Sequence, residues 1–132
     1  EATITIPEKD ANGVIVADGA RDGGFALYLK DGYLVYENNA GGRHWDALRS
    51  PAPLPAGKAT VRFEAAVDGG KRTGRLSVNG VEVASGPILA VSPPSSPGAF
   101  CVGRNCGTAV GQGYAVPYAF TGEIGEVRIE KQ

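Results

Sequence analysis

Residues 23–39 read GGFALYLKDGYLVYENN. Two apolar-rich runs flank Asp31-Gly32, a dipeptide suited to a type I′ turn because both central residues of that turn need φ > 0. If these two residues are the loop, Lys30 faces Tyr33, Leu29 faces Leu34 and Leu27 faces Tyr36. Side chains alternate along a strand, so Phe25, Leu27, Leu29, Leu34 and Tyr36 share one face, the core face. Ala26, Tyr28, Lys30, Tyr33, Val35 and Glu37 share the other, which is mixed, aromatic and charged.

Outward from this hairpin the chain keeps a strand rhythm. Ala2–Ile6 alternates, with Ile4 and Ile6 inward, and Gly13–Ala17 is a short apolar strand. Pro7–Asn12 and the glycine-rich Asp18–Gly24 read as loops. Ala40–Pro55 shows no period, and Pro51, Pro53 and Pro55 make its second half a surface crossing. Lys58–Val67 is the longest alternating run, with Val61, Phe63, Ala65 and Val67 inward. A second hairpin, Thr73–Ser85, turns at Asn79-Gly80. Its register sets Val78 against Val81 and Leu76 against Val83, all four on one inward face. Gly86–Gly98 is a proline- and serine-rich loop, Ala99–Gly103 a short strand, and Asn105–Pro117 a glycine-punctuated loop. Phe120–Lys131 closes the chain; its apolar phase slips at Gly125, which predicts a β-bulge. No stretch has helical period. The fold class is all-β, an antiparallel two-sheet sandwich.

Length and composition bound what such a sandwich can do. At 132 residues the chain is most simply one domain, residues 1–132. Its 20 glycines and 9 prolines demand many turns. A net charge of −1 provides no basic footprint for nucleic acid or an anionic membrane surface, and no apolar run is long enough to span a bilayer. There is no signal peptide and no methionine, so the chain reads as processed or excised from a larger protein.

Signals for chemistry are sparse. The one histidine, His44, lies beside Trp45 with no nucleophile motif near any serine. There is no phosphate-binding or dinucleotide fingerprint, so no cofactor is expected. Glu126, Arg128 and Glu130 alternate on a strand and read as a solvated face rather than as the facing carboxylates of a glycosidase. The aromatics say more. Tyr28 and Tyr33 flank Lys30 on the non-core face, and Trp45 follows Arg43 and His44. Two readings stand: a carbohydrate platform of rings with a polar rim, or tyrosines filling a sheet face covered by a loop or neighbouring domain. The second is favoured because amphipathic tyrosines serve interfaces. Arg104-Asn105 has the same duality, anchoring a loop or touching a partner. Cys101 and Cys106, five apart, are either small packed thiols or a disulfide around a tight turn; two cysteines far from the histidine make no metal site.

Four blocks in order resemble a known family. They are GFALYLKDG at 24–32, LPAGK at 54–58 leading into VRFE at 61–64, VGRN at 102–105 with Gly107, and YAVPYAFTGEI at 114–124. The set resembles the C-terminal domain of long bacterial arylsulfatases, from about Asn12 onward. The resemblance implies a concanavalin A-like or laminin-G-like jelly roll. It also implies an accessory role beside a catalytic sulfatase domain in the same parent chain, and hence no enzyme activity in this chain alone. The formylglycine motif of sulfatases, Cys or Ser followed by x-Pro-x-Arg, is absent: Cys101-Val102-Gly103-Arg104 lacks the proline and the spacing. The family often has an acidic residue where this chain has Asn105, so no carboxylate-dependent role, calcium binding included, carries over to that turn. An exported parent, periplasmic or secreted, permits a Cys101–Cys106 bridge, and with it that disulfide is the expectation. A different function class, a carbohydrate-binding module for sulfated glycans, places Lys30, Arg43 and Arg104 on sulfate and Tyr28, Tyr33 or Trp45 on the sugar ring. The Glu-x-Asp-x-x-Glu strand motif of laminarinase-type hydrolases is missing.

Overall fold

The structure, a computed structural model, describes residues 1–88 and 100–129. Those residues contain ten strands and no helix. They are β1 (Ala2–Ile6), β2 (Gly13–Ala20), β3 (Gly23–Lys30), β4 (Tyr33–Ala40), β5 (His44–Arg49), β6 (Gly57–Asp68), β7 (Lys71–Val78), β8 (Val81–Pro87), β9 (Cys101–Val102) and β10 (Glu123–Val127). Two five-stranded sheets result, in the orders β10-β1-β6-β7-β8 and β5-β4-β3-β2-β9, with antiparallel pairing throughout. This is the antiparallel sandwich expected from the alternation.

The turn chemistry fixes the registers. Asp31 and Gly32 have φ of 50° and 84°, and Asn79 and Gly80 have 51° and 81°, as type I′ turns require. In the first hairpin Lys30 pairs with Tyr33, Leu29 with Leu34 and Leu27 with Tyr36. Leu27, Leu29, Leu34 and Tyr36 enter the core between the sheets, where they meet Ile4, Ile6, Val61 and Leu76. Tyr36 stacks on Phe63 across the interface, with centroids 3.5 Å apart and planes at 7°.

The second hairpin departs from its expected register. Val78 pairs with Val81, but Leu76 pairs with Ala84 and Ser77 with Glu82, so Val83 is an extra residue on β8. A bulge of this kind bends the strand. No glycine or proline marks it, which is why alternation alone carried the register past it. Val81 is 65% exposed and Val67 is 66% exposed, although both read as inward. Both sit where their strands approach a turn, so inward parity there does not guarantee a partner sheet to pack against. At Gly125 the expected slip occurs: Ile4 pairs with Ile124, but Ala2 pairs with Val127.

Two loop readings are corrected. Asp18–Gly24 is mostly strand, with Gly19 paired to Gly24 and Ala20 to Gly23 around an Arg21-Asp22 turn. A Cβ on Gly24 would strike the Asp18 carbonyl; these glycines let two backbones pair closely, which composition alone read as a loop. Within Ala40–Pro55, His44–Arg49 pairs along β4 as an edge strand. Leu48 is its one buried residue, too little to display a period. The closing strand spans only Glu123–Val127 of the expected Phe120–Lys131, whose last two residues lie outside the described residues. Most of the Gly86–Gly98 loop, and Ala99, lie outside them as well.

Leu76→Ala and Val81→Ala separate the two faces of the second hairpin. Leu76 is fully buried, and its truncation costs about 3 kcal/mol in urea denaturation. Val81→Ala costs under about 0.5 kcal/mol. Equal losses would restore the inward reading of Val81.

Candidate functional site

The face of the hairpin sheet turned away from the core carries Tyr28 and Glu37, and the segment 105–118 lies over it. Val14, Ala17, Ala26, Tyr28, Val35 and Val110 form a second buried cluster there, with Tyr114 and Tyr118 packed against it. Tyr28 meets Tyr114 edge-on at 4.9 Å and Tyr118 at 6.2 Å, and Tyr114 stacks on Tyr118 at 5.3 Å.

The covering segment has almost no regular structure, so side chains must satisfy its backbone groups. Glu37 is buried and does much of this. It accepts from Gln112 N at 2.9 Å and Gly113 N at 3.1 Å, and the Tyr28 hydroxyl also donates to it. Asn105 is buried too: its Oδ1 accepts from Val110 N at 3.1 Å and from the Tyr114 hydroxyl at 2.6 Å. Its Nδ2 donates to Thr108 O at 3.0 Å and Gly107 O at 3.3 Å. Val110 O accepts from Asn39 Nδ2 and Trp45 Nε1, both at 3.0 Å. Lys30 Nζ donates to Gly113 O at 2.6 Å. Gly111 and Gly113 make the approach possible: a Cβ on Gly111 would lie 2.7 Å from Glu37 Oε1, and one on Gly113 would strike the Tyr28 hydroxyl. Cys101 and Cys106 are joined by a disulfide, with Cα atoms 6.0 Å apart, at the entry to this segment.

The candidate residues therefore separate. Tyr28, Lys30, Trp45 and Asn105 converge on the covering segment and hold it. Tyr28 is 3% exposed and Asn105 2% exposed, which closes both to a ligand arriving from solvent. Tyr33 stands apart, with the Arg49 guanidinium 3.9 Å above its ring. Arg43 and Arg104 are exposed. His44 pairs with Asp46 at 2.8 Å on the surface. Among the described residues no group of three or more His, Cys, Asp or Glu side chains is set to hold a metal ion. The residues that sequence reasoning missed are Glu37, Asn39 and Val110. Glu37 had one signal: it shares the outward parity of Tyr28 and is its diagonal neighbour across the register, since Tyr28 pairs with Val35 and Ala26 with Glu37.

Burial acts on the phenols. Desolvation raises the pKa of Tyr28, reinforced by its bond to Glu37. It pushes Tyr114 up to about 12, against the lowering effect of hydrogen bonds to the Gly111 and Val110 backbone. It raises Tyr118 and Tyr36 as well. A phenol whose folded pKa exceeds its unfolded value of 10.0 contributes stability fully present below that value. The contribution is lost as pH rises through the folded pKa, because only the unfolded chain sheds the proton early. The melting temperature should hold up to about pH 10 and fall steeply by pH 12, with tyrosinate absorbance rising together with loss of β-sheet circular dichroism. Tyrosinate signal that saturates while the sheets persist would contradict this.

Asn105→Ala strips Val110 N and the Tyr114 hydroxyl of their acceptor. It should cost about 1–3 kcal/mol and accelerate amide exchange at Val110, Gln112 and Gly113 more than in the core strands. Uniform exchange changes, or none, would mean the segment is held otherwise.

Comparison with known proteins agrees with the fold. No curated protein matches the chain. Residues 2–132 match a laminin-G-type family described as the concanavalin A-like lectin/glucanases superfamily. The chain belongs to the concanavalin A-like lectin/glucanase superfamily.

Proposed function

We propose that this chain is a non-catalytic accessory β-sandwich domain of a sulfatase-like hydrolase, with a structural or substrate-access role beside a catalytic domain in the same parent protein. The observation that carries the non-catalytic reading is the sealed sheet face. The aromatic rings and the carboxylate best placed for a site are spent on Val110, Gln112 and Gly113 of the chain itself. The sulfatase association is supported by the four sequence blocks. Residues of the first, third and fourth, Tyr28, Asn105, Tyr114 and Tyr118, pack or bond together around the covering segment. The blocks thus describe one structural device, as an accessory domain kept for its shape would show.

A carbohydrate-binding role is the second reading, favoured by the lectin character of the superfamily and by the exposed Arg43 and Arg104, which suit a sulfated glycan. Two measurements decide between these readings. The isolated chain should hydrolyse an aryl sulfate no faster than buffer does, and a glycan array carrying sulfated and neutral sugars should retain none of it. Turnover above buffer overturns the non-catalytic assignment. Retention on sulfated sugars that is lost in Arg43→Ala or Arg104→Ala establishes the second reading instead.

A further inference from the structure

A cleft of about 480 Å³ opens between the two sheets, toward the start of β3 and the end of β6. That volume is within the roughly 300–1,000 Å³ of small-molecule sites. Its apolar wall includes Phe25, Leu27, Phe63 and Val67. Tyr36 lies between two of these rings, stacked on Phe63 and 5.9 Å from Phe25 at 22°.

One lining residue does not belong in an apolar wall. Arg72 pairs with Val67 across β6 and β7, and it precedes Gly74 and Leu76, the buried inward residues of β7, in the same alternation. It therefore stands on the inner face of its sheet, half-buried. Of the other described charged residues lining the cleft, Glu64 pairs with Arg62 at 3.1 Å, Arg128 pairs with Glu126 at 3.0 Å, and the Glu1 amino group donates to Arg128 O at 2.9 Å. Arg72 has no ion pair or side-chain hydrogen bond among the described residues, and neither does the Tyr36 hydroxyl. The two are close enough for the guanidinium charge to offset part of the upward push that burial exerts on the Tyr36 phenol. A half-buried guanidinium turned inward with no counter-ion among the described residues bears an unrecovered desolvation cost. Its planar fork matches a carboxylate, and the stacked rings beside it match a flat apolar body.

We propose that this intersheet cleft binds a small aromatic carboxylate, with its ring among Phe25, Phe63 and Val67 and its carboxylate on Arg72 and the Tyr36 hydroxyl. The site is separate from the sealed face and does not depend on the accessory role.

The test titrates 2-naphthoate, and separately the neutral 2-naphthalenemethanol, into the isotope-labelled chain and follows methyl resonances by NMR. Naphthoate should shift the methyls of Val16, Leu27, Val67 and Val127, and should bind about tenfold more tightly than the alcohol, the least expected of one charge-assisted hydrogen bond. Arg72→Gln should abolish that preference while leaving the alcohol's affinity unchanged. No shift at millimolar naphthoate overturns the proposal, and so do shifts confined to other surfaces. Equal affinity for acid and alcohol in the unaltered chain also overturns it, and that comparison stands even if Arg72→Gln does not fold. A cleft filled by another part of this chain registers as absence of shift.

Discussion

The register of β3 against β4 is the constraint from which both buried layers follow. Asp31-Gly32 sets it through two consecutive residues at positive φ, and a slip of one residue would exchange the two faces. In the observed register Leu27, Leu29, Leu34 and Tyr36 supply one sheet's share of the intersheet core. The same register makes Tyr28 and Glu37 diagonal neighbours on the opposite face, where the phenol can reach the carboxylate. A hairpin that formed the first layer without the second would leave a glutamate and a tyrosine under an apolar cover with no partners, which is costly.

This makes the two sheets unequal. The sheet containing β3 and β4 is buried on both faces near its middle, as Ile15, Leu29, Ala26 and Tyr28 show. The outward side of the other sheet carries exposed ion pairs, Arg62 with Glu64 and Arg75 with Glu82 at 2.7 Å. Such pairs contribute little stability in water, roughly 0–1 kcal/mol each. They do keep that face soluble and unattractive to sheet-on-sheet aggregation. Tyr28, Tyr114 and Tyr118 are packed together on the covered face, while Tyr33 is partly exposed with the Arg49 guanidinium over its ring.

What the sequence made legible follows from the range of each interaction. Turn chemistry is local, so Asp31-Gly32 and Asn79-Gly80 could be placed from two residues each. Alternation is also local, and it gave the inward set of the first hairpin and the phase slip at Gly125. The Val83 bulge needed knowledge of the facing strand, and the exposure of Val67 and Val81 needed knowledge of where the opposite sheet ends. The pairing of Gly19 with Gly24 left no side chain from which to read it. Of the candidate site, the covered-face reading of Tyr28 and Tyr33 came from their amphipathic character; it holds for Tyr28, which is buried under the segment, and not for Tyr33, which stands outside it with Arg49 over its ring. The identity of the cover was not legible, because Glu37 lies 75 residues from Gln112 and no local pattern links a strand carboxylate to a distant backbone amide.

The covering segment also explains why a patterned stretch of sequence need not signal chemistry. A segment without a hydrogen-bonded ladder must find a partner for every backbone amide that it buries. Glu37 supplies two acceptors and Asn105 one, while Asn39 and Trp45 supply donors to a single carbonyl. Each of these bonds is modest, roughly 0.5–1.5 kcal/mol net, but leaving one of the groups unmade underneath the segment costs more than the bond gains. Replacement of Glu37, Asn105 or Tyr114 therefore strands a buried group elsewhere, and close packing at Gly111 and Gly113 leaves no space for a longer residue to compensate. Glycines, an asparagine and tyrosines at fixed spacing are what a catalytic loop would also display. Here each has a structural partner within the chain, so the pattern is accounted for by the requirement to seal one face of a sheet.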